Sequence, residues 1–207
     1  VKAHGADCLR LYEMFMGPLE AVKPWQSSQI QGVVRFRDRV WAACTRPVAD
    51  AIDDETRRLL HKAVQKVTKA IETLSFNTAI STLMIFTNHL SSAATLPREA
   101  AEKLVLMLSP FAPHIAEELW SRLGHDGTLA HEPWPTFDEA LCIDDVIEMP
   151  VQVNGKVRGH VKLDRTATQD AAVAAAVAVE GVKAFVEGKS IKKVVFVSGR
   201  ILNLVVG

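Results

Sequence analysis

Cysteine, aromatic residues and catalytic signatures are scarce in this sequence, and each shortage excludes something. The three cysteines, Cys8, Cys44 and Cys142, lie far apart and form no CxxC pair. No disulfide scaffold and no zinc site is expected, and the pattern reads as a reduced, intracellular protein. No apolar run reaches the ~18 residues of a membrane span, so no membrane contact is expected, and the first residues lack a signal-peptide pattern. Seven histidines are scattered; none forms an HxxxH with a glutamate partner, and neither a phosphate-binding GxxxxGK loop nor a GxSxG elbow occurs. Glu117 and Glu118 are adjacent carboxylates, but helix neighbours point in different directions, so they read as solvent-facing rather than as an acid–base pair. No catalytic residue and no metal ligand is assigned. Val1 is not an initiator methionine, and the chain is expected to be a piece of something longer.

What remains is ordinary globular material. Hydrophobic residues make up 48% and charged residues 23% of 207, enough for one large domain or two small ones. The net charge is zero but unevenly spread: residues 1–145 carry 15 Lys and Arg against 19 Asp and Glu, and residues 146–207 carry 9 against 5. A mildly basic tail attracts polyanions, although +4 over 62 residues also fits a plain solvated surface.

Through residue 124 the apolar period is helical. A short helix over 5–16 breaks at Gly17-Pro18. Ser27 and Ser28 are N-caps for a second helix, whose apolar positions are Ile30, Val33, Val34, Val40, Trp41 and Cys44. Arg37 interrupts that stripe, and its head either snorkels past the core edge or is paired there. Beyond Pro47, Asp53 or Asp54 caps a third helix with Leu60, Ala63, Val64, Val67, Ile71 and Leu74 inward. Asn77 starts a fourth, with Ile80, Leu83, Met84 and Leu90 inward. A fifth opens on Pro97 as a first-turn proline, carrying Leu104, Val105 and Leu108. Pro110 and Pro113 bracket a corner before a sixth, with Ile115, Leu119 and Leu123, ending at Gly124. Short connections make these an antiparallel bundle. Residues 125–145 read as irregular.

The period then changes to 2. Met149, Val151 and Val153 alternate with Pro150 and Gln152, and Asn154-Gly155 is a strong hairpin signal. The return strand places Val157, Gly159, Val161 and Leu163 on one face, with Arg158, His160 and Lys162 on the other. An alanine-rich helix over 167–187 and two strands near 191–198 and 201–206 complete a ββαββ unit, whose small core is expected to lean on a partner or be mobile.

The candidate functional residues are cationic. Arg35 and Arg39 are four apart and share a helix face; Arg58, Lys62, Lys66 and Lys69 recur down another. Such rows suit an RNA backbone, and they equally suit a wet helix face. In the tail, Lys156, Arg158, Lys189, Lys192, Lys193 and Arg200 meet few acids, although lysine at a sheet edge also guards against aggregation. With only Phe185 and Phe196 as aromatics there, shape and backbone reading is expected rather than base stacking. The segment SPFAPHIAEELW (109–120) reads as structural: two prolines fix a corner, Phe111 and Trp120 fill core, and His114 caps or bonds at the helix start.

Taken together, GADCLRLYEMFMGPLEAVKPW, GVVRFRDRVW, SPFAPHIAEELW, VQVNGKVRGHV and VVFVSGRILNLVV make the chain resemble the C-terminal part of bacterial leucyl-tRNA synthetases over essentially its whole length. SPFAPHIAEELW is shared with isoleucyl and valyl enzymes; the tail carries the leucyl resemblance. Arg37 departs from the family, which commonly has an apolar residue there. The resemblance implies a mostly α fold, the class I synthetase anticodon-binding bundle followed by a small α+β domain. Its divisions would be 1–24 as the end of the catalytic region, 25–145 as the bundle and 146–207 as the tRNA-binding tail. It implies a cytoplasmic leucine–tRNA ligase, docking tRNA(Leu) beside the catalytic and editing domains of its own chain, and a monomer. No cofactor is expected in this segment, with ATP and Mg held in the catalytic part. The alternative is a bundle that mainly braces the catalytic domain, marked by an exposed apolar patch near Tyr12, Phe15 and Trp25.

Overall fold

The computed structural model describes the chain except residues 1, 19, 21, 23, 25, 27–29, 144 and 145, and only the backbone of Val146. The N-caps Ser27 and Ser28, and Trp25 of the apolar patch, therefore lie outside the described residues. Two compact units divide the chain, Val1–Cys142 and Ile143–Gly207.

The first unit is the helical bundle that the apolar periodicity foretold. Its main helices are α1 (Gly5–Phe15), α2 (Ile30–Cys44), α3 (Asp54–Glu72), α4 (Phe76–Ser92), α5 (Arg98–Leu108) and α6 (Pro113–Arg122). One continuous core takes Leu11 and Tyr12 from α1, Val33, Phe36 and Val40 from α2, Leu60, Val64 and Val67 from α3, and Ile80, Leu83, Phe86 and Leu90 from α4. Leu104, Val105, Leu108, Phe111, Leu119 and Trp120 complete it. Phe76 meets the edge of Phe111, ring centres 6.0 Å apart, an arrangement the ring quadrupoles favour. The helix over 5–15 is thus part of this core. Tyr12 is buried with its hydroxyl donating to Gln26 O at 3.0 Å, and Phe15 is half-buried, so neither offers a fully exposed ring to the apolar patch that would mark the bracing alternative.

Asp53 caps α3, accepting from Thr56 N at 2.8 Å and Thr56 Oγ1 at 2.7 Å; these bonds hold its carboxyl below the usual range. Arg37 is paired: Nη1 donates to His4 O at 3.1 Å and Cys8 Sγ at 3.3 Å, and Nη2 to Asp38 Oδ1 at 2.7 Å. Several details differ from the sequence reading. α4 begins at Phe76 rather than Asn77. Pro97 is the N-cap of α5 rather than its first turn, because β2 (Leu96–Pro97) pairs in parallel with β1 (Val48–Ala49). Leu74, expected inward, is 56% exposed with φ 54°. α3 closes there with Ser75 N donating to Ala70 O at 2.7 Å and Leu74 N to Ile71 O at 3.0 Å, a pair of bonds that needs a left-handed residue between them. The region 125–145, expected irregular, contains a 3-10 turn at Leu129–His131 and a short α7 (Glu139–Cys142).

The second unit is a four-stranded sheet with helices on one face. β3 (Val146–Val153), β4 (Lys156–Asp164), β5 (Ile191–Val197) and β6 (Ile201–Val206) lie in the order β4-β3-β6-β5, with β3 and β6 parallel. Met149, Val151, Val161, Leu163, Leu202 and Leu204 pack against Ala172, Ala176 and Val182. Asn154 and Gly155 turn the first hairpin at φ 50° and 80°. Two expectations fail here. The ladder shifts register between Val151 and Gln152, so Val157 pairs with Gln152 instead of continuing the inner row, and it is 52% exposed. The alanine-rich stretch is two helices, α8 (Gln169–Val177) and α9 (Glu180–Val186). Gly181 explains why the second turns in: a Cβ there would lie 2.4 Å from Arg158 O, so α9 rests directly on the β4 backbone.

Gly181→Ala is expected to destabilise the second unit by about 1–3 kcal/mol, the usual cost of forcing atoms into a packed contact, as read by urea denaturation. Leu74→Gly relieves a left-handed leucine and should stabilise the first unit by about 0.5–1 kcal/mol, net of the added unfolded-state entropy; a lowered midpoint would refute that account of the turn.

Candidate nucleic-acid interface

The inward stripe of α3 leaves its remaining positions to solvent. Arg58, Lys66 and Lys69 are exposed there and Lys62 is half-buried, so the expected row exists as one outward face. Its far end is partly neutralised, with Lys69 Nζ 3.9 Å from Glu72. Beside Lys62 and Lys66, between α3 and α4, runs a groove of about 200 Å³ floored by Leu59, Ala63, Phe86 and the 65% exposed Ile85. This groove was not legible in the sequence, because Ile85 falls between the inward positions of α4.

The other flank of α3 is strapped by residues 134–142. Trp134 Nε1 donates to Thr68 Oγ1 at 2.8 Å, and Asp138 N donates to His61 Nδ1 at 2.8 Å. The latter bond needs an unprotonated Nδ1, and burial, followed by Lys103, lowers the His61 pKa. Glu117, expected to face solvent, ties the adjoining turn instead: it accepts from Thr128 Oγ1 at 2.5 Å and Leu129 N at 3.0 Å. The Thr128 bond first, then that of Leu129, lowers its pKa. Glu118 pairs with Arg122 at 2.7 Å.

On α2, Arg35 is exposed, whereas Arg39 is half-buried with Nε enclosed and without a hydrogen-bond partner.

In the second unit the sheet distributes the cations to two ends. Lys156 follows the 154–155 turn. That turn meets the end of β6 through Asn154 Nδ2 donating to Val206 O at 3.2 Å, where Ile191 also pairs. Lys156, Lys189 and Lys192 therefore share one end, all exposed. Arg200 turns the opposite end, where Ser198 Oγ donates to Arg165 O at 3.1 Å, and this brings in Arg165, a cation the sequence did not single out. Lys193 lies on the helix-free face of β5 with the exposed Val195 and Val197. Arg158 is drawn away: its guanidinium lies over the Phe185 ring at 3.8 Å. Phe185 and Phe196 both pack against the core, leaving neither ring as an open stacking platform.

Residues 53–174 match the family model described as the anticodon-binding domain of tRNA ligase. The chain belongs to this family. It is 63% identical over 207 residues to the leucine–tRNA ligase of Sorangium cellulosum, covering 100% of this chain and 24% of that ligase. The leucine–tRNA ligase of Mycolicibacterium vanbaalenii is 48% identical over 98% of this chain and 22% of its own length. Among solved structures, the agnB2 LeuRS of Agrobacterium radiobacter K84, crystallised as a ternary complex with tRNA and LeuAMS, superposes with a TM-score of 0.82 at 32% identity. That match covers 100% of this chain and 30% of that one. The chain thus spans about a quarter of the length of the curated relatives it matches. No helix of the described residues is long and apolar enough to cross a membrane.

The strap on α3 carries a pH dependence. The unfolded chain protonates His61 near the ordinary value of 6.5 and the folded chain only at lower pH, so the unfolded state binds the extra proton between those values. The strap's contribution is complete above 6.5 and is lost as pH falls through the lower, folded value. Amide exchange at Asp138 should accelerate relative to its intrinsic rate as pH falls below 6.5 in the native chain, and should show no such pH step in His61→Gln.

Proposed function

We propose that this chain is the tRNA-docking region of a leucine–tRNA ligase, inert as a catalyst by itself. It would hold tRNA(Leu) while the catalytic and editing domains of the same protein act. The observation that carries this reading is the outward cation row of α3, Arg58, Lys62 and Lys66, inside the segment that matches the anticodon-binding family. Helix rows of this kind neutralise backbone phosphates and release their counterions. The lysines and Arg200 at the two sheet ends extend the same chemistry to the second unit, and the core-packed phenylalanines support reading by shape and backbone rather than by stacked bases. ATP and Mg belong, on this reading, to the catalytic part, and the ligase works in the cytoplasm as a monomer.

The bracing alternative has one observation in its favour. Asp7 and Arg10 of α1 bind the α5–α6 corner directly, which gives a chain entering at α1 a rigid hold on the bundle. Both roles are compatible with one surface on α3.

Arg58→Glu combined with Lys66→Glu should weaken tRNA(Leu) binding roughly tenfold or more and flatten the slope of log Kd against log salt by about one per lost phosphate contact. Lys192→Glu with Lys193→Glu should act likewise from the second unit. Filter binding across a salt series reads both. Unchanged affinity and slope in both pairs, or no binding by the native chain at low salt, would overturn the docking reading.

A further inference from the structure

One end of the bundle collects arginine. The C-terminal ends of α2, α4 and α6 meet there. Arg46, just past α2, donates Nη2 to Leu90 O at 2.6 Å and Nη1 to Ala93 O at 2.9 Å, closing α4, and Nε to Ala43 O at 3.4 Å. Arg98, the first residue of α5, donates Nη1 to Leu123 O at 2.9 Å, closing α6. Arg122, in the last turn of α6, donates Nε to Glu118 at 2.7 Å and lies 4.7 Å over the Trp41 ring. A cavity of about 320 Å³ opens here, lined by Arg46, Arg98 and Arg122 together with Cys44, Thr45 and Leu123.

Helix C-termini attract cations, which explains why arginines come here. It does not explain why three of them surround an open volume several times that of one tetrahedral anion. These bonds leave N–H groups over on each guanidinium, which carries five. No carboxylate lines the cavity among the described residues. Glu102 and Glu118 stand behind Arg98 and Arg122, at 3.6 and 2.7 Å, orienting them without entering. Among the described residues, Arg46 has only carbonyl partners. The Cys44 thiol stays neutral because burial pushes its pKa up to about 12, so it adds no negative charge.

We propose that this cavity is an oxyanion site that takes one phosphate group between Arg46, Arg98 and Arg122. Arginine forks match phosphate oxygens in geometry as well as charge. The two arginines that cap helices are held in place before any ligand arrives, so little side-chain freedom is lost on binding. If the docking reading above holds, the phosphate belongs to an RNA backbone; the same chemistry would bind free phosphate.

Arg122 is the variant of choice, because its side chain is 53% exposed and it caps no helix, whereas removing Arg46 or Arg98 uncovers helix carbonyls. Inorganic phosphate is titrated against the native chain, Arg122→Gln, Arg122→Lys and the control Lys183→Gln, an exposed cation of α9, with calorimetry and thermal melting. Phosphate should bind the native chain and the control and raise their melting temperatures. Arg122→Gln should lose at least about fivefold in affinity and Arg122→Lys less, since one of three cations with its two-pronged contact is lost. Equal phosphate responses in native and Arg122→Gln, or none in the native chain, would overturn the site. The tRNA salt series on the same variants then assigns the source. A slope lower by about one in Arg122→Gln identifies a backbone phosphate, and an unchanged slope beside a positive phosphate result identifies a free anion. The phosphate arm contains no RNA, so its outcome is separate from that of the docking reading.

Discussion

A buried carboxylate holds α1 to the bundle, and the register of the corner between α5 and α6 depends on it. Asp7 accepts from Ile115 N at 2.8 Å, His114 N at 3.3 Å and His114 Nδ1 at 2.7 Å. One turn along α1, Arg10 donates to Pro110 O at 2.8 Å and Phe111 O at 3.2 Å. The corner ends one helix and begins another, so it exposes unpaired carbonyls beside unpaired amides. A single face of α1 supplies the acceptor for one set and the donor for the other. Pro110 and Pro113 suit the corner because they remove donors that nothing there would satisfy. Left without Asp7, the buried amides would each cost about 1–3 kcal/mol of desolvation. The separation of 107 residues between Asp7 and His114 makes this a constraint on topology, not only on a helix end.

The same electrostatic logic organises the opposite end and decides which cations are left to face outward. Acids sit at helix starts, as Asp53 does on α3, and arginines sit at helix ends, as Arg46 and Arg98 do. Arg10 and Arg37 are likewise spent on backbone carbonyls and on Cys8. Total charge is therefore a poor guide to the first unit: its acids exceed its cations, yet the outward face of α3 is basic. Position on a helix, not composition, separates an arginine that holds the fold from a cation that faces outward.

That distinction also marks how far the sequence could be read. Periodicity exposed α2 to α6, since each buries a stripe spaced at 3.6 residues, and Asn154-Gly155 exposed the hairpin, since few pairs tolerate both left-handed dihedrals. The cation row on α3 was legible for the same local reason. What escaped was non-local. Besides the adjacent Asp38, Arg37 has partners 33 and 29 residues away. The bulge that turns Val157 outward comes from strand register, and the break between α8 and α9 from a close approach to Arg158 O that only a glycine at 181 permits. The β1–β2 pairing is two residues long, too short to leave a period. The grouping of Lys156 with Lys189 and Lys192 required the strand order.

In the second unit, strand order itself separates the candidate contacts. The β3–β4 turn and the end of β6 lie together, and Arg200 lies at the other end of β6, six residues and about 20 Å away. A small anion occupies one such end at a time. On the docking reading proposed above, a folded polyanion, with charges repeated every few ångströms, would engage both and gain from their fixed spacing. The sheet keeps that spacing without an aromatic platform, because its two phenylalanines are committed to a core drawn from only a few large side chains. Stability and stacking compete for the same rings here, and in a unit of this size the core takes them. If the sheet docks RNA as proposed, electrostatic reading of shape is the mode this core leaves to it.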